Sequence, residues 1–129
     1  MSFPRALAAV LLSGCVFGAH PGSFGPAGVQ LELTTLRPHP LSPVYGELLA
    51  ADDSGLVVHT ATGVVRVLYP SIAAARIKQM LDWSPPARPG LPAMLRLRDL
   101  SRYPQGLSGE LLDRVLRAYG SDSLPVIRP

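Results

Sequence analysis

At 129 residues the chain has the length of a single domain, with room for one ordinary core but not for a large cavity-bearing one. Hydrophobic residues at 47% against 16% charged exclude a wholly disordered chain. Eleven of the twelve basic residues behind the net charge of +3 are arginine, but they are scattered, and the densest patch (Arg96, Arg98, Arg102) encloses Asp99. That pattern predicts an ordinary solvated surface, not a nucleic-acid footprint.

The chain opens with Arg5 and no acid, then the seven-residue apolar block ALAAVLL over 6–12. A membrane-spanning helix needs about 20 apolar residues, so this block is too short to span. It fits the apolar segment of a secretory signal. The block runs into Leu12-Ser13-Gly14-Cys15, which holds the chain's only cysteine. This tetrad resembles the lipobox of bacterial lipoproteins: an aliphatic residue, a small one, Gly or Ala, then Cys. The resemblance implies that residues 1–14 are a signal peptide, that diacylglycerol is attached to the Cys15 thiol, and that cleavage follows Gly14. The expected location is then the bacterial envelope, lipid-anchored in the cell membrane or the outer membrane. Val16 follows the cysteine where enteric inner-membrane lipoproteins carry Asp, which points to the outer membrane in an organism that sorts its lipoproteins that way and leaves both membranes open otherwise. With Cys15 lipidated, no thiol remains for a disulfide, a metal or a nucleophile. Residues 15–28, the lipidated cysteine followed by VFGAHPGSFGPAG, read as a flexible tether, and His20 as a tether residue.

A small barrel-like meander is expected over 29–83. Val29, Leu31 and Leu33 alternate with Gln30, Glu32 and Thr34, the pattern of a half-buried strand. RPHPLSP (37–43) breaks it, because each proline removes a donor and disfavours helix before it. Three strands follow at 44–51, 56–61 and 64–69. They are separated by DDSG (52–55), where Gly55 is expected to supply a positive φ, and by ATG (61–63). Val65, Val67 and Tyr69 alternate with Val64, Arg66 and Leu68, so the last strand is expected to be covered on both faces. The run GELLAADDSGLVVHTATGVVRV, from Gly46 to Val67, resembles the bent meander of Sm-like and other SH3-like barrels. Residues 71–83 carry two readings. Helix propensity favours a helix through Ile77, Met80 and Leu81. The barrel resemblance implies a short turn at Ser71–Ala73 and a closing strand near Ala75–Leu81, and the strand is preferred.

SPPARPGLP (84–92) reads as a linker, and residues 93–120 as a helix pair lying on or beside the sheet. The first helix starts near Pro92 and runs to about Arg102, with Met94, Leu97 and Leu100 on one side. The second has Ser108 as N-cap and Glu110 in its first turn, then Leu111, Leu112, Val115, Leu116 and Tyr119 on one face, with Gly120 as the stop. Glu110–Arg114 and Asp113–Arg117 are spaced as i, i+4 pairs. Residues 121–129 read as a loose tail. The expected fold class is α+β, mainly β: a small antiparallel meander or partial barrel followed by two short C-terminal helices.

No P-loop, GxGxxG, HExxH, GxSxG or CxxC motif occurs. His20, His39 and His59 lack metal-ligand spacing. His59 is expected on the same face as Val57, half-buried in the sheet. Asp52 and Asp53 read as turn caps, since calcium would want more oxygen ligands than Ser54 and Glu47 could add. No catalytic, cofactor or metal residue is assigned and no small-molecule substrate is expected. Tyr103, Pro104 and Leu107 form an aromatic–aliphatic corner with two readings, a staple of the helix pair to the sheet, which is preferred, and an interaction site. These readings add up to a non-enzymatic envelope lipoprotein, a protein-interaction or structural module whose partners are the membrane, through the lipid, and another envelope protein. The alternatives are a cytoplasmic Sm-like or SH3-like nucleic-acid adaptor and a regulatory subunit of an envelope complex.

Overall fold

The computed structural model describes residues 27–78 and 83–129. The leader, Cys15, His20 and most of the expected tether lie outside the described residues, as do Met80 and Leu81 of the expected closing strand. The elements in chain order are β1 (Gln30–Thr35), β2 (Val44–Ala51), β3 (Gly55–Thr60), β4 (Gly63–Leu68), a 3-10 turn (Tyr69–Ser71), β5 (Ile72–Ile77), α1 (Leu91–Leu100), α2 (Gly109–Ala118) and β6 (Val126–Ile127). They form one six-stranded sheet in the order β5-β1-β2-β3-β4-β6. Its pairs are antiparallel except β4–β6, which is parallel, so the sheet is mixed and open. The protein is α+β, mainly β, with two helices after the meander.

The alternation in the sequence explains the strands directly. Leu31 and Leu33 of β1 point into the core, while Gln30 and Thr34 are exposed. The strand preferred over a helix after Ser71 is present, but it begins at Ile72, and the turn before it is Tyr69–Ser71. Pro70 sets that turn, and β5 pairs with β1 from Leu31↔Ile77 to Thr35↔Ile72. Gly55 does not have a positive φ. It is the first residue of β3, and a Cβ there would run into the Val67 carbonyl on β4, so close strand approach requires the glycine.

Two apolar layers flank the sheet. The larger holds Leu33, Leu48, Leu56, Val58, Val65 and Val67, closed by Met94 and Leu97 of α1. The other holds Leu49, Ala50, Val57 and Val64, covered by Val115 of α2 with Tyr103, Leu107, Leu111 and Tyr119 around it. β4 is therefore covered on both faces, as its composition predicts. α2 is amphipathic, as its spacing predicts, and Ser108 occupies the N-cap position. Its hydroxyl makes no capping bond; its carbonyl accepts from Leu112 N–H at 2.7 Å. Arg117 donates to the main-chain carbonyl of Asp113 at 3.4 Å.

The C-terminal residues are not a loose tail. Val126 and Ile127 pair with Arg66 and Val67, and Ile127 is buried in the larger layer. The local sequence SDSLPVIRP offers too few apolar residues to announce a strand. The exposed edge of β4 supplies the missing partner.

Candidate functional site

The site is built on an irregularity in β2. Its register against β3 passes from Leu48↔Val58 to Ala50↔Val57, which leaves Leu49 as an extra residue. Such a bulge turns two successive side chains to one face. Here Leu49 and Ala50 both enter the α2-side layer, while Leu48 and Ala51 stay in the other. The bulge also turns strand carbonyls away from the ladder, and the segment between the helices takes them up. Arg102 N–H donates to the Leu48 carbonyl at 3.0 Å and Tyr103 N–H to the Leu49 carbonyl at 2.9 Å.

Next to the bulge lies a buried ion pair. Glu47 Oε2 accepts from Arg102 Nε at 2.8 Å, and the two side chains are only 11% and 10% exposed. The same oxygen accepts Gly28 N–H at 2.6 Å. One carboxylate thus joins the start of the described fold, β2 and the interhelix segment. Gly28 must be glycine, because a Cβ would run into the Leu48 carbonyl and lie 2.9 Å from Arg102 N. Across the strand from Glu47 stands His59, half-buried on the same side as Val57 as expected, with its ring 3.9 Å from that of Tyr119. Burial pushes the Tyr119 phenol up from its ordinary pKa, with the Glu47 carboxylate adding to the effect.

Further along β2 the interhelix segment roofs a cleft of about 210 Å³. Ala50 and Val57 line it from the sheet, Leu107 and Leu112 from the helical side, and Asp52 and Arg66 from its charged rim. Arg66 Nη2 lies 2.7 Å from Asp52 Oδ2 and 2.8 Å from Oδ1. Asp52 Oδ1 also accepts Ser54 N–H at 2.8 Å and Gly55 N–H at 3.0 Å. Desolvation acts to raise this carboxyl, but the bonds from Ser54, Arg66 and Gly55 outweigh it and hold the pKa below its ordinary value. Asp52 is therefore a turn cap, the role its sequence suggests. A buried phenol stands behind it: the Tyr69 hydroxyl donates to the Asp52 carbonyl at 2.7 Å, and burial pushes that phenol well above its usual pKa.

The expected corner is divided by the structure. Tyr103 and Leu107 pack on the α2-side layer, and Leu107 also lines the cleft, while Pro104 is exposed. His39 Nδ1 accepts Leu41 N–H at 3.1 Å inside the Pro-rich loop. The basic patch read from the sequence is dispersed. Arg102 is buried on Glu47, and Arg98 Nη2 reaches Asp53 at 3.6 Å. Among the described residues no group of three His, Cys, Asp or Glu is placed to hold a metal. Sequence reasoning missed the Glu47–Arg102 pair. Its one local signal was an acid set inside the apolar run of β2; the partner is 55 residues away.

No family model matches the chain, and neither a curated protein nor a solved structure matches it.

Proposed function

We propose that this protein is a lipid-anchored component of a bacterial envelope, held by Cys15, whose folded part is a non-enzymatic protein-interaction or structural module. The observation that carries this reading is the tetrad Leu12-Ser13-Gly14-Cys15 behind its apolar block. Among the described residues no helix is long and apolar enough to cross a membrane. Only residues 16–27 separate Cys15 from Gly28, where the fold is tied in by Glu47. The cleft beside Leu107 is the interaction site we assign. Its size suits one apolar side chain of a partner, with the Asp52–Arg66 pair at the rim to orient it.

The nucleic-acid alternative is weakened by where the arginines sit. Arg66, Arg76, Arg88, Arg98 and Arg102 all lie on carboxylates and are not gathered along one stripe.

The test is metabolic labelling with a lipid probe in cells expressing the wild type or Cys15→Ala. Label and membrane recovery are expected for the wild type alone, with an intact mass that begins at residue 15 and includes acyl groups. Equal labelling of both proteins would refute the anchor.

A further inference from the structure

We propose that the outward face of α1, with Leu91 and Leu95 as its apolar contact and Arg88 and Arg96 beside them, rests on the bilayer surface. This rests on the anchor reading above and names what that anchor brings the domain against.

α1 has already filled its inward face. Ala93, Met94 and Leu97 are buried against the sheet. Leu91 and Leu95 stand one turn apart on the other side, 69% and 50% exposed. A leucine pair at this spacing is not needed for the core, and nothing among the described residues covers it. Arg88 precedes the helix and is 64% exposed, and Arg96 is exposed next to Leu95. The acids nearby are Asp53 and Asp99. Asp53 lies 3.7 Å from Arg88 and 3.6 Å from Arg98; with Asp99 counted, Arg88, Arg96 and Arg98 stand against two acids, a formal balance of +1. Short apolar contacts flanked by arginine suit an interface of acyl chains and anionic headgroups.

The point where the chain enters the fold supplies the second argument. Val29 N–H donates to the Leu100 carbonyl at 2.8 Å, so the segment leading from Cys15 joins the domain at the C-terminal end of α1. A chain of that length reaches about 45 Å when extended. α1 itself is about 15 Å long. The helix is thus held close to the bilayer at a high effective concentration, and a contact too weak to recruit a free domain becomes populated. The cleft beside Leu107 lies on the α2 side of the sheet and stays open to a partner.

The experiment uses the mature lipidated protein in phosphatidylcholine vesicles containing a minor fraction of phosphatidylglycerol. A nitroxide is placed at Leu95→Cys and, in a separate protein, at Arg114→Cys on the exposed side of α2; lipidated Cys15 does not react. Collision with oxygen relative to a water-soluble nickel chelate is expected to be several-fold higher at Leu95 than at Arg114. Adding Leu91→Ser should return the Leu95 label toward water. Equal values at both sites, in protein that carries acyl mass and floats with the vesicles, would overturn the contact and leave the anchor standing. Protein without acyl mass that stays off the vesicles would overturn both. Spin–spin broadening between Leu95 labels would assign the face to a second copy and refute the bilayer as its occupant.

Discussion

Replacing Glu47 with alanine gives the sharpest test of how the fold is tied together. The variant leaves the Arg102 guanidinium, 10% exposed, without its carboxylate, and Gly28 N–H without its acceptor. Breaking a buried pair by removing one partner costs about 3–5 kcal/mol. An orphaned buried N–H costs about 1–3 kcal/mol, and because the two losses share one oxygen they do not simply add. We expect a loss of about 4 kcal/mol, a large share of the 5–15 kcal/mol typical of a domain. At about 5 °C per kcal/mol this lowers Tm by roughly 20 °C. The assay is urea and thermal unfolding followed by circular dichroism, on the wild type, Glu47→Ala, Arg102→Met and the double variant Glu47→Leu/Arg102→Met. The double variant should be more stable than Glu47→Ala, because no charge is left buried alone and only the Gly28 donor is unmatched. A loss below about 1 kcal/mol for Glu47→Ala, or a double variant as unstable as the sum of its parts, would show that the pair is solvated and not the tie described here.

Further outcomes follow from other contacts. Ile127→Ala should cost about 3 kcal/mol, the range for truncating a buried isoleucine, whereas a loose tail would make it silent in the same unfolding assay. The Tyr69 phenol is held protonated in the folded state above its ordinary pKa, so its stabilising effect is intact below the usual phenol range. It is lost as pH rises from there toward the raised folded value, because the unfolded chain ionises first; an ultraviolet titration should show late-ionising tyrosine, and Tyr69→Phe should remove the part that ionises last. Asp52 runs the other way. Its folded pKa is depressed, so its contribution is present above the ordinary carboxylate pKa and is lost as pH falls through the folded value. Asp52→Asn should flatten that part of the acid unfolding profile, and an unchanged profile would refute the assignment.

The legible parts of the fold were those set by neighbours in the chain. Alternation at Leu31 and Leu33, the turn at Asp52 and the apolar face around Val115 depend on short-range sterics and periodicity, and each lies where the sequence placed it; the turn expected over 61–63 narrows to Ala61 and Thr62, because Gly63 already pairs with Thr60. The proposed anchor at Cys15 rests on a local sequence pattern too, one that lies outside the described residues. The candidate site was less legible. Tyr103, Pro104 and Leu107 stood out as an aromatic–aliphatic corner, but only Leu107 lines the cleft, whose other wall, Ala50 and Val57, sits beside a bulge in β2 that no local pattern announces.

What the sequence determined by itself was therefore a meander of short strands, a capped turn and a helix with one apolar side, because these arise between residues a few positions apart. The tertiary structure alone decided that Glu47 meets Arg102, that Gly55 is needed for strand approach and not for a turn angle, and that Ile127 adds a parallel strand to β4. Those outcomes depend on groups far apart in the chain. A buried charge must find its counter-ion and an open strand edge its partner wherever packing brings them, and no local pattern encodes that meeting.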